Sequence, residues 1–210
     1  MTDLSELLDA WQALLTRHSA SPEARAAGAA LLARWSEPHR RYHDVAHLQG
    51  VLDAVDDLAG FAENPDAVRL AAWYHDAVYA GAPDDEENSA LLAESELAGL
   101  GVDAALVAEV ARLVRLTVEH DPEPVDRNGQ VLSDADLAVL ALAPAEYRSN
   151  TAKVRAECGH VSDADFRAGR ARIIESLLAA PALYRTPQGR RLWEDAARQN
   201  LTAELRTLSR

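Results

Sequence analysis

The sequence predicts an all-α protein of about ten helices, and three observations carry the prediction. Apolar residues recur at helical spacing along nearly the whole chain, strand-like alternation is hard to find, and helix-start and helix-stop residues punctuate the pattern. Leu4, Leu7, Leu8, Trp11, Leu14 and Leu15 mark a first helix over 3–18. Ser21 before Pro22 opens a second over 22–36, a third covers 43–59, and Asn64 before Pro65 opens a fourth over 65–79. A fifth runs over 86–99 and stops at the glycines of "GLGV". Leu106, Val110, Leu113, Val114 and Val118 line a sixth over 103–119. The prolines and Asn128-Gly129 of "HDPEPVDRNGQ" read as the main loop, after which helices are expected over 131–142, 144–157, 163–179 and 188–207. Ser162, three residues ahead of Asp165, caps the ninth.

A chain of 210 residues suits one domain, here expected over 1–210, and its composition is that of an ordinary globular protein. The formal net charge of -13 repels a nucleic-acid backbone, so no non-specific nucleic-acid binding is expected. A small phosphorylated partner needs a metal or a local arginine cluster. Cys158 is the only cysteine, which excludes an intramolecular disulfide and a multi-thiolate zinc site. The acidic, amphipathic start "MTDLSELLDAWQALL" lacks the pattern of a signal peptide, and no apolar run is long enough for a membrane span; a cytoplasmic protein without membrane contact is the expectation. Trp11, Trp35, Trp73 and Trp193 lie on apolar helical faces and read as core.

The chemistry-bearing residues lie between these landmarks. "LAAWYHDAVYAG" sets His75 and Asp76 side by side in an apolar segment, where an unpaired charge is expensive and a hydrogen bond, ion pair or metal is called for. His43 and His47 stand four residues apart, a spacing that on one helix face can grip one metal. In "VLSDADLAVLAL", Asp134 and Asp136 either cap an apolar helix or turn inward as anionic ligands. Two residues apart, they point to nearly opposite sides of a helix, so one first coordination shell does not easily take both.

The order His, His-Asp, Asp resembles the HD-domain superfamily of metal-dependent phosphohydrolases, and in particular its branch of predicted metal-dependent phosphohydrolases. The motifs that carry the resemblance are Tyr42-His43 with His47, His75-Asp76 with Val78-Tyr79, "DEENSA" from Asp85, "DADLAVL" from Asp134 and "FRAGR" from Phe166. They span roughly 40–175. Asp85 departs from the usual Asn of that pattern, and Cys158 stands where an aromatic residue is expected.

The resemblance implies a single helical bundle of the HD type in which His47, His75, Asp76 and Asp136 hold a divalent ion. Nitrogen and carboxylate ligands suit Mn, Fe, Co, Ni or Zn and, less comfortably, Mg. The implied activity is hydrolysis of a small phosphoester, a nucleotide among the options, through water activated by the ion. Glu86, in the acidic start of the fifth helix, is expected to handle protons beside the metal. His43 and His120 can serve a substrate phosphate, a second ion or a hydrogen bond to a ligand. Arg155 and Arg170 can bind phosphate in a bidentate manner or pair with one of the many acids. Two other activities fit the same residues: a di-iron oxygenase, using His43 and His120 as extra ligands, and a non-catalytic nucleotide-binding module.

Overall fold

The computed structural model describes residues 3–208, and every regular element among them is helical. In chain order the α-helices are α1 (Leu4–Leu15), α2 (Ala24–Trp35), α3 (Val45–Leu58), α4 (Pro65–Tyr74), α5 (Asp85–Gly99) and α6 (Ala104–Leu116). They are followed by α7 (Arg127–Asp136), α8 (Pro144–Glu157), α9 (Asp163–Ala179) and α10 (Pro187–Leu208). A 3₁₀ turn, Leu137–Ala141, continues α7. None of these helices is long and apolar enough to cross a membrane.

Most of the helices start where their capping residues stand. Asp3 accepts from Ser5 N at 2.8 Å, Asp44 from Ala46 N at 2.9 Å, Asn64 from Ala67 N at 3.1 Å and Asp103 from Ala105 N at 2.9 Å. Each satisfies one of the donors that a helix start leaves unpaired. Ser162 does the same for α9 through Asp165 N. Ser21 accepts from Glu23 N, but α2 begins only at Ala24, so this serine shapes the turn before the helix.

Two apolar clusters make the core. The larger gathers the buried faces of α1 to α7 around Trp11, Trp35 and Trp73, and the smaller joins the 3₁₀ turn to α8, α9 and α10 around Tyr147, Ile174 and Tyr184. Trp193 packs against both. The other three tryptophans are fully buried, and two spend their indole N–H on carbonyls: Trp11 on Ala24 and Trp35 on Trp73. Gly28 lets α1 and α2 approach, because a Cβ there would stand 2.2 Å from the Trp11 ring.

The two largest differences from the sequence expectation both lie at the site. Helix α4 ends at Tyr74 rather than at 79, so His75 and Asp76 stand in the turn that leaves it. Arg40 holds that turn by donating to the carbonyls of Asp76 and Ala77, while Ser89 and Asp85 of α5 accept from Val78 N, Ala80 N and Ala82 N. Helix α7 begins four residues early, at Arg127. The Asn-Gly pair there is no turn: Asp126 caps the helix through Gly129 N, and a Cβ on Gly129 would press on Asp126 and Leu116. Asp134 and Asp136 therefore occupy the last turn of a buried helix and not the first turn of an apolar one.

Candidate metal centre

Three elements bring their polar side chains to one point. His47 sits in the first turn of α3, His75 and Asp76 follow α4, and Asp136 closes α7. Donor atoms of His47, His75 and Asp136 all lie within 4.8 Å of one another. The two histidines face each other at 3.2 Å between Nε2 atoms; His47 Nε2 is 3.1 Å from Asp136 Oδ1 and His75 Nε2 is 3.7 Å from it. Asp76 stands just outside that trio, with Oδ2 at 3.2 Å from His75 Nε2 and 3.7 Å from His47 Nε2.

The residues fit a divalent ion. Ligands bonded at roughly 2.0–2.2 Å, at angles of about 90–110°, stand about 2.8–3.6 Å apart, and three of the five separations fall in that range while the other two are slightly longer. His75 Nδ1 lies 2.8 Å from the Ala72 carbonyl, which can only accept, so the proton sits on Nδ1 and Nε2 is left to bind. No lysine or arginine side chain pairs with either carboxylate, leaving the imidazoles as their only cationic partners among the described residues.

In the ion-free protein that shortage shows in the protonation states. Burial pushes His75 toward its neutral form, but the charges of Asp76 and Asp136 prevail and raise it to about 9. Burial likewise works to raise both aspartates, and the histidines overcome it. His75, with help from His43, holds Asp76 far below the usual carboxylate range, and His47, His75 and His120 hold Asp136 there. Protons thus stand where a cation would.

The remaining sequence-selected residues divide into two groups. His43 and His120 join the site. His43 precedes α3 instead of sharing its helical face with His47; its Nε2 is 3.9 Å from Asp76 Oδ2, and its ring lies over Tyr79 at 4.2 Å between centroids. His120 Nε2 is 3.3 Å from Asp136 Oδ2. Its backbone is left-handed (φ 51°), a conformation that costs a non-glycine residue on the order of 1 kcal/mol. The arginines and Glu86 are placed differently. Arg155 spends its guanidinium on Asp163 and on the Cys158 and Val161 carbonyls, closing the turn between α8 and α9. Arg170 pairs with Glu204 at 2.8 Å, yet it also borders a recess that His43 and Tyr42 share. Glu86 is half-buried in the first turn of α5 and forms no hydrogen bond or ion pair with another described residue. Asp134 accepts from Arg185 N at 2.6 Å and Thr186 N at 2.8 Å, so it braces the start of α10 across the fold.

Glu157 is the residue that sequence reasoning missed. The last residue of α8, it accepts from the backbone N–H groups of Arg41, Tyr42 and His43 and lies 2.5 Å from His43 Nδ1. Those bonds prevail over burial and hold its carboxyl down at about 2, while Glu157 in turn raises His43 against the opposing effect of burial. No local signal marks it, since its partners are 114 to 116 residues away.

Comparison with known proteins finds no matching family model, no matching curated protein and no matching solved structure.

Proposed function

We propose that the protein is a metal-dependent phosphohydrolase of the HD type, acting on a small phosphoester. The observation that carries this reading is the convergence of His47, His75 and Asp136, with Asp76 beside them, on one point that lacks a permanent cation. A divalent metal held by these four residues supplies two things: a lowered pKa for water and neutralisation of phosphoryl charge.

The chain's own residues provide the rest. The Ala72 carbonyl fixes the His75 tautomer, and Asp44, the cap of α3, sets His47 at its depth in the site. Glu157, 2.5 Å from His43 Nδ1, shifts His43 toward its protonated form, and in that form its Nε2–H stands at the edge of the site as a donor to a phosphoryl oxygen or a leaving group. His120 faces the other side of Asp136 and can orient a reactant by hydrogen bonding. Glu86 is carried over from the resemblance as the proposed proton acceptor, and its carboxylate, in the first turn of α5, is uncommitted among the described residues.

Phosphate release from a panel of nucleotides and small phosphoesters, after reconstitution with each divalent metal, tests the reading. Metal-dependent turnover that disappears in Asp136→Asn is the expected result, with Glu86→Gln retaining metal but turning over at least about tenfold more slowly. Absence of turnover on every substrate with every metal would contradict it. One observation favours a second reading, a two-iron oxygenase: each carboxylate has an additional histidine nearby, His43 for Asp76 and His120 for Asp136. Two iron atoms per chain would select it.

A further inference from the structure

A cavity of about 370 Å³ opens directly on His47 and Asp136, between α3, the 3₁₀ turn, α8 and Trp193 of α10. Its volume falls in the range of about 300–1,000 Å³ typical of small-molecule sites. Tyr42, Asn150 and Lys153 line the same cavity as these two metal ligands, and Tyr42 and Asn150 also border the recess that contains His43. Lys153 is the only lysine in the chain and, among the described residues, the only lysine or arginine lining this cavity. Its ammonium is half-exposed and lies 3.9 Å from Asp44, at the outer limit of an ion pair, whereas Arg155 and Arg170 are held by closer partners. Asn150 forms no hydrogen bond through its side chain among the described residues. Much of the remaining lining is apolar, Val51, Ala54, Ala138, Val139 and Leu142 among it, and two exposed carboxylates, Asp53 and Asp57, border the cavity as well.

We infer that this cavity seats the substrate, that Lys153 and Asn150 hold its phosphate against the metal ligands, and that the substrate is a monophosphate whose remaining body is uncharged or cationic. The inference rests on the phosphohydrolase reading and deepens it. One ammonium and one amide match a single phosphate as point charge and hydrogen-bond donor. Asp53 and Asp57 repel a second anionic group while accepting from hydroxyl or ammonium groups, a selection made by repulsion as well as by contact.

Calorimetric titration of inorganic phosphate into the protein saturated with the divalent metal it binds most tightly tests the phosphate seat. Lys153→Met should weaken phosphate binding at least tenfold with metal affinity unchanged, and Lys153→Arg should restore most of the loss. Lys153 is half-exposed, so circular dichroism should show both variants folded. Competition tests the selectivity: ethyl phosphate should displace inorganic phosphate at least tenfold better than phosphoglycolate, and Asp57→Asn should narrow that gap. Equal phosphate affinity in wild type and Lys153→Met, with metal bound, would overturn this inference alone. Equal competition by the two esters would overturn the selectivity. Metal-loaded wild type that binds no phosphate, or wild type that binds no metal, would overturn both this inference and the phosphohydrolase reading.

Discussion

Two groups of buried charges, one in each apolar cluster, solve the same problem in different ways. In the smaller cluster Glu204 receives a hydrogen bond from the Tyr147 hydroxyl and pairs with Arg170 at 2.8 Å, so a permanent cation and a phenol complete one carboxylate. In the larger cluster the cationic partners of Asp76 and Asp136 among the described residues are all imidazoles. An arginine cannot give up its charge, and a histidine can. The first group is therefore closed and serves packing, while the second can exchange its protons for a metal. Buried charge alone does not distinguish the two groups; the absence of a permanent cationic partner among the described residues does.

The sharpest way to break this comparison is to remove one member from each group. His75→Ala or Asp136→Asn should lower metal affinity by about 3 kcal/mol or more, over a hundredfold, and leave a helical protein, as read by metal content and circular dichroism. Glu204→Ala should leave metal content unchanged. It should destabilise the fold by about 3 kcal/mol, measured by urea unfolding, because it strands Arg170. If Glu204→Ala removed the metal, or His75→Ala unfolded the chain, the division into a structural and a functional group would fail.

Acidity sharpens the contrast further. His75 is raised to about 9, so in the ion-free protein its contribution to stability is complete below its ordinary value of 6.5 and is lost as pH climbs through 9. Glu157, held down at about 2, contributes above the ordinary carboxylate range and loses that contribution as pH falls toward 2. The ion-free protein should consequently lose thermal stability on both sides of a plateau near pH 5–6.5. Metal should erase the alkaline loss, because it replaces the His75 proton as the partner of Asp76 and Asp136. Thermal melts from about pH 2 to about pH 10, with and without metal, check this, and an alkaline loss that metal leaves unaltered would count against the site.

The smallest expected effect separates two neighbours in α7. Asp134→Asn keeps a side-chain oxygen for only one of the two N–H groups at the start of α10, and it should cost about 1 kcal/mol while retaining metal. The same substitution at Asp136 should instead lose metal. A reversal of the two would move the ligand assignment by two residues.

Much of this architecture is legible in the sequence, and its gaps have physical causes. The spans expected for the eighth and ninth helices match α8 and α9, where Pro144 and Ser162 act locally. Helix α7 is misplaced by four residues because Asn-Gly signals a turn, whereas close packing of Gly129 on Asp126 and Leu116 decides the matter here. The early end of α4 depends on Arg40, Asp85 and Ser89, none of them adjacent to it in sequence. His47, His75 and Asp136 are identifiable from their order. Glu157 and Lys153 are not, since their surroundings are made by contacts across more than a hundred residues.

The most direct test of the metal centre is calorimetric titration of the ion-free wild-type protein with divalent metals at pH 7 in two buffers of different ionisation enthalpy. The account predicts binding of about one ion per chain, with release of a proton from His75 and loss of the signal in His75→Ala. A wild-type protein that binds no divalent ion, and keeps His75 protonated in the presence of excess metal, would contradict it and leave the cluster a closed ion pair like that of Arg170 and Glu204.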